Sequence, residues 1–364
     1  MENLCSGGLN IGGLLAKVPI IQGGMGVCIS LSGLASAVAN EGGIGVIATP
    51  GIAMRDPEMD AKFLETNNKC LAEEIRKAKK ATKGIIGVNI MMALSNFSEL
   101  VKTSIAEGVD VIFSGAGLPM DLPDYLKGSK KTKLVPIVSS ERAAKIIMKR
   151  WKDRYSYTPD GFVVEGPKAG GHLGFRPEDI FNDDFTLEKL VVNVLGEVKK
   201  FEKENNVKIP VIAGGGIFTG EDIHKFLKLG ASGVQMATRF VTTHECDASE
   251  KFKEMYLNCK EEDIIIVKSP VGMPGRVIRN EFINAVNKGL KQPFSCPYKC
   301  IITCDVVNAP YCIAKSLVNA AYGKLDDGFA FAGANAYRCK KMYSVRELID
   351  ELMSECKAAA EKDK

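Results

Sequence analysis

Along the chain, short apolar runs rich in β-branched residues alternate with longer stretches whose apolar positions recur at helical spacing. Eight such runs stand out: Val18–Gln22, Ile44–Thr49, Ile85–Ile90, Val109–Ser114, Lys133–Ser139, Gly161–Glu165, Pro210–Ala213 and Gly233–Ala237. Most are continuous rather than alternating, the pattern of parallel strands covered on both faces. Between and after them the spacing predicts helices over Leu31–Asn40, Glu73–Lys80, Ser98–Glu107, Glu141–Asp153, Thr186–Glu204, Glu221–Leu229 and Ser249–Asn258. Ser30, Ser140 and Thr219 read as helix starts, and Gly42, Gly108 and Gly230 as stops.

Eight strands alternating with helices predict an α/β fold, a (β/α)8 TIM barrel. On this reading residues 1–262 form the barrel and 263–364 a C-terminal extension packed on it, with a last helix near Val345–Ala360. Pro50–Lys69 reads as a long loop after the second strand, a lid or covering segment. In such a barrel ligands and catalytic groups sit at the C-terminal strand ends, so the loops after each run carry the chemistry.

Composition narrows the picture by exclusion. The 364 residues carry a net charge of +4, too small and dispersed to argue for nucleic acid or an anionic membrane. The longest apolar stretch, Gly84 to Leu94, is interrupted by Asn89 and is far short of the ~20 residues of a membrane span. Met1–Leu15 lacks the basic start and apolar block of a secretion signal, so a cytoplasmic protein is expected. Its eleven cysteines are then expected to be reduced.

Candidate chemistry collects at the strand ends. The seventh run leads into Gly214-Gly215-Gly216 and the eighth ends Gln235-Met236-Ala237-Thr238. These small residues, with the start of the helix near Gly220, predict a phosphate cup where barrels commonly have one. Gly23, Gly24 and Met25 end the first run, where glycines suit a flat ring close to backbone. Asn89 is a polar residue in an apolar run, and a buried amide needs partners that a ligand edge could supply.

Of the three histidines, only His172 is presented on two glycines, Gly170 and Gly171, at a strand end, where it would serve as acid or base. His224 sits in a charged helical pattern and reads as surface, whereas His244 could line the barrel mouth. The three do not form a metal site, since His-x-x-x-His is absent, and no Gly-x-Ser-x-Gly elbow supports a serine hydrolase.

Pro19–Gly26, Gly87–Ile90, Ser114–Pro119, Glu165–Gly174, Ile209–Ile217 and Gly233–Phe240, in this order over about residues 15–280, resemble the nitronate monooxygenase (2-nitropropane dioxygenase) family, which includes flavin-type enoyl-ACP reductases. The resemblance implies an FMN-binding barrel, with phosphate on Gly215, Gly216, Ala237 and Thr238 and the ring near Gly24, Met25 and Asn89. His172 matches the family's catalytic histidine. Lys168 stands where the family often has Glu, and Ala237 where it often has Gly.

The leading expectation is an FMN-dependent oxidoreductase that oxidises alkyl nitronates with O2. The alternative is an NAD(P)H-dependent enoyl-ACP reductase on the same scaffold. A small-molecule substrate is expected, with neither nucleic acid nor membrane as partner, and a homodimer is the default assembly. Cys296, Cys300 and Cys304 are spaced four apart, with Cys312 eight further on. On a helix the first three share a face, which could ligate zinc or an iron–sulfur cluster. Because Cys-x-x-Cys pairs are missing, cysteine packed as a small hydrophobe is the preferred reading, and no metal is assigned.

Overall fold

The computed structural model describes residues 5, 7–55, 63–292, 294–296 and 298–363. Its strands are β1 (Leu9–Ile11), β2 (Leu14–Ala16), β3 (Ile20–Gln22), β4 (Ile44–Ala48), β5 (Ile85–Met91), β6 (Val111–Gly115), β7 (Lys133–Val138), β8 (Phe162–Glu165), β9 (Gly171–His172), β10 (Val211–Gly214), β11 (Gly233–Met236), β12 (Ile264–Lys268) and β13 (Pro274–Ile278). All eight predicted runs become barrel strands: β3 to β8, β10 and β11 close in chain order, every pair parallel.

The strands carry apolar side chains on both faces. Ile21, Ile44, Val46, Val111, Phe113, Val135, Val163 and Ile212 fill the barrel interior, and the hairpin β1–β2 adds Leu9 and Ile11 to the same cluster. The alternate residues, such as Ile47, Val88, Ile112 and Val164, pack outward under the helices.

Those helices are α1 (Ser32–Asn40), α2 (Phe63–Ala81), α3 (Phe97–Ala106), α4 (Glu141–Tyr155), α5 (Leu187–Asn205), α6 (Gly220–Lys228), α7 (Thr238–Val241), α8 (Glu250–Asn258), α9 (Glu281–Asn287), α10 (Ile313–Ala321) and α11 (Val345–Lys362). Ser140 and Thr219 cap α4 and α6 as expected. Ser30 does not cap α1; its hydroxyl accepts from the Met25 amide. The N-terminus of α1 is instead held by the distant Asp247, whose carboxylate accepts from the amides of Leu31, Gly33 and Leu34.

Helix α2 begins well before Glu73 and takes up the end of the expected loop. Polar residues hide its periodicity in the sequence: buried Asn67 accepts from the Ala53 amide and buried Glu74 from the Ser32 amide. Residues 56–62 of the predicted covering segment lie outside the described residues.

The chain beyond β11 is woven into the barrel. β12 and β13 pair antiparallel, and β13 pairs with β9, setting Gly275 opposite His172. Helix α11 packs on α6 and α1. That cover corrects the surface reading of His224, which is buried with Nε2 2.8 Å from the Asp363 carboxylate. It also corrects the reduced reading for two cysteines, because α11 brings Cys356 against Cys5 in a disulfide across 351 residues of sequence. Among the described residues no helix is long and apolar enough to cross a membrane.

Candidate active site

The C-terminal end of β3 leads into the barrel mouth. Gln22, fully buried, folds its amide onto backbone: Nε2 donates to the carbonyls of Gly23 and Val46, and Oε1 accepts from the Val46 amide. The side chain thereby replaces strand-to-strand pairing, and the β3–β4 register is limited to Ile21 with Ile44. Beyond it Gly23 and Gly24 leave a floor without side chains. A Cβ on Gly24 would lie 2.5 Å from Cβ of Asn89.

Two adjoining cavities occupy the C-terminal end of the barrel. The first is lined by Gly23, Met25, Gly215, Gly216, Met236, Ala237 and Thr238, and the second by Asn89 and His172. Gly24, Gly170, Gly171 and Gln235 line both, so every residue expected at the site falls on this joined space.

The first cavity is a cradle of backbone. Gly215 and Gly216 have φ of +98° and +95°, which other residues rarely adopt. Cβ atoms there would meet the Gly166 carbonyl oxygen at 2.9 Å and Cβ of Lys168 at 2.8 Å. The expected help from the start of α6 is absent. Asp222 accepts from the amides of Phe218 and Thr219, and Glu355 of α11 accepts from that of Gly220, so these donors are already taken. Lys168 lines the cavity and brings a cation instead.

The tail completes the cradle with residues that sequence reasoning missed. Ala332, Gly333 and Asn335 line it, and Asn335 Nδ2 donates to the Gly216 carbonyl at 2.6 Å. Gly333 lies against Thr238, where a Cβ would come within 2.6 Å of the hydroxyl oxygen. Arg276, buried on β13, donates to the carbonyls of Pro167 and Ala169 and fixes the loop that carries Gly170 and Gly171. Burial pulls its guanidinium down to about 10.

The second cavity is larger and mostly apolar, with Met91, Leu94, Val138, Met273, Ile313, Leu317 and Phe331 among its walls. Polar groups are few. Among the described residues, no hydrogen-bond partner engages the Asn89 side-chain amide; only its backbone carbonyl is used, by Thr49. His172 stands edge-on to Phe331, ring centroids 4.9 Å apart, with Nε2 2.8 Å from the Ser269 hydroxyl. Burial lowers the imidazole to about 4, so it is neutral at physiological pH. Glu165 lines both cavities, and burial raises its carboxyl to about 7. His244 is exposed and lines neither cavity, contrary to expectation.

The family model for nitronate monooxygenase matches residues 10–355, nearly the whole barrel and tail. The chain belongs to the nitronate monooxygenase family. A curated relative from Mycobacterium tuberculosis, (3aS,4S,5R,7aS)-5-hydroxy-7a-methyl-1-oxo-octahydro-1H-indene-4-carboxyl-CoA dehydrogenase, is 28% identical over 271 residues, 74% of this chain and 66% of the relative. The chain thus spans just under two thirds of that protein's length. A probable nitronate monooxygenase of Staphylococcus saprophyticus is 26% identical over 76% of this chain and 80% of its own. Among solved structures, FabK of Thermotoga maritima superposes with a TM-score of 0.73 at 29% identity, covering 94% of both chains. A nitroalkane oxidase of Streptomyces ansochromogenes shares the fold, with a TM-score of 0.72 at 20% identity.

Proposed function

We propose that this family member is an FMN-dependent oxidoreductase that oxidises alkyl nitronates with dioxygen, with His172 as its acid/base. The observation that carries this reading is a neutral histidine on the wall of a cavity continuous with a glycine cradle. At neutral pH the imidazole is in its free-base form, so its lone pair is available to take the proton next to a nitro group, while burial makes it a weaker base than a solvated histidine. The same ring on the cavity wall would orient nitronate oxygens.

The cradle fits FMN on its own terms. The glycine backbone of Gly215 and Gly216, with Ala237, Thr238 and Lys168, would hold the phosphate. Gly23, Gly24 and Met25 would lie along the ring, and the Asn89 amide, without a partner among the described residues, would meet a heteroatom edge of the ring. Bound flavin supplies the two-electron chemistry that links a carbanionic substrate to dioxygen. The chain's own part is to hold the substrate between Phe331 and the barrel top, keep water from the apolar wall, and take the proton at His172.

A second reading, an NAD(P)H-dependent enoyl thioester reductase, is favoured by one feature. The apolar cavity, of about 480 Å3, is larger than a small nitroalkane needs and would accept an acyl chain, and FabK of Thermotoga maritima is a structural neighbour at 29% identity.

The test is to release the cofactor from purified protein by heat, identify it, and measure oxygen uptake with propyl nitronate. FMN together with nitronate-dependent oxygen uptake supports the first reading. Protein that carries no flavin and takes up none overturns both.

A further inference from the structure

The cysteine-rich segment between α9 and α10 does not form the helix that its four-residue spacing predicts. Within residues 288–312 the described backbone has turns and a single isolated bridge, Ile301 with Leu94. A connection this long without regular structure is uncommon in a compact barrel unless it is functional. The segment is nevertheless stitched down. The Ser95 amide donates to the Cys300 carbonyl at 3.1 Å, the Ile302 amide donates to the Ala93 carbonyl at 3.0 Å, and Tyr298 packs on Phe63.

Its cysteines converge. Cys296, Cys300, Cys304 and Cys312 all line one cavity of about 260 Å3, separate from the cradle, with apolar walls that include Phe294 and Ile313. All four are free and half-buried. Buried apolar packing of small hydrophobes would bring such side chains into contact and close the space between them. Here they surround it.

We infer that this cavity is a [4Fe–4S] cluster site ligated by Cys296, Cys300, Cys304 and Cys312. The sulfurs stand too far apart for a single zinc ion. Zn–S bonds of ~2.3 Å in a tetrahedron put sulfurs roughly 4 Å from one another. Among the described residues, Cys5, His224 and Cys356 form the sole set of three or more ligand atoms within 4.8 Å of each other, and none of these four cysteines belongs to it. A cubane cluster takes one thiolate at each of its four irons and so needs the wider ring.

One backbone donor already points at a sulfur. The Lys299 amide donates to Cys296 Sγ at 3.4 Å. Such bonds tune clusters. On assembly, each of the four thiols loses its proton to solvent as its Fe–S bond forms, and two ferrous ions, two ferric ions and four sulfides build the [4Fe–4S]2+ core, so no further oxidant is needed. Cys300 lines both this cavity and the His172 cavity, so the cluster would adjoin the redox site.

The experiment is to purify the 364-residue protein without oxygen, incubate it with equal amounts of ferrous and ferric iron, sulfide and dithiothreitol, and desalt it. Iron, acid-labile sulfide and zinc are then measured, and the dithionite-reduced protein is examined by electron paramagnetic resonance at low temperature. About four irons and four sulfides per chain, with a cluster signal on reduction, are expected. In Cys304→Ser and Cys312→Ser, iron and the signal should fall at least several-fold, while Cys259→Ser, whose residue lies outside the cavity, should retain both. Flavin content and melting temperature monitor folding of each variant. Zinc at one per chain without sulfide, or no metal retained by the folded wild-type protein, overturns the inference.

Discussion

The Ser269 hydroxyl lies 2.8 Å from Nε2 of His172, although 97 residues separate them in sequence. The same oxygen accepts from the Val271 amide and keeps a second lone pair for a hydrogen bond from Nε2–H. In that arrangement the ring orientation is fixed and the Nδ1 lone pair is free to take a proton. Ser269→Ala should lower kcat/KM about tenfold, the value of one good hydrogen bond, while flavin content stays at the wild-type level. Steady-state kinetics alongside a flavin-to-protein absorbance ratio checks both halves.

The cradle predicts a loss of cofactor rather than of fold. Gly24→Ala places a methyl group 2.5 Å from Cβ of Asn89, in a barrel top whose strands cannot easily shift. Gly216→Ala adds strain at a positive φ and meets Lys168. Both variants should fold, with wild-type circular dichroism, yet bind flavin at least tenfold more weakly in a fluorescence titration of the apoprotein.

Glu165 and His172 give opposite pH dependences of stability. Glu165 rises from 4.5 unfolded to about 7 folded, so the folded state binds the extra proton between those values. Stability on its account is full below about 4.5 and is lost as pH rises through 7. His172 falls from 6.5 to about 4, so its share is full above 6.5 and is lost as pH falls toward 4. Glu165→Gln should therefore raise Tm at pH 8 and change it little at pH 4.5. Thermal melts of both proteins at the two pH values decide the point, and an equal shift at both would rule out the titration account.

The Cys5–Cys356 disulfide ties the chain before β1 to α11, which seals α6. Closing so long a loop constrains the unfolded chain, so Cys356→Ser should cost about 2–5 kcal/mol. Denaturant unfolding of oxidised wild type, reduced wild type and variant should give matching midpoints for the last two, both below the first.

The barrel was legible because parallel strands buried on both faces are largely apolar, most of the eight runs met that condition, and all eight became barrel strands. The barrel half of the site was legible for a related reason: glycines and a lone polar residue interrupt such runs where a ligand must come close. The other half was hidden. Ser269 reaches His172, and Phe331, Gly333 and Asn335 reach the cavities, only because β13 pairs with β9, and no local pattern announces a long-range contact. His224, Asp247 and Cys5 were misread or passed over for the same cause, each finding its partner far away in sequence. The cysteine spacing misled in another way, because a four-residue repeat mimics a helix face where the chain forms an irregular loop around a cavity.

The central claim is that a carbanionic nitro substrate delivers electrons here, with His172 taking the proton when one must be removed. It is tested most directly by mixing the flavin-loaded protein without oxygen with propyl nitronate, with neutral nitropropane, or with NADH or NADPH, and following the flavin bands. The account predicts rapid bleaching by the nitronate, recovery in air, and none by the nicotinamides. In His172→Ala it predicts that bleaching by nitropropane slows by about 100-fold or more while bleaching by the nitronate largely survives. Bleaching by NADH or NADPH alone would contradict it and assign the site to a reductase.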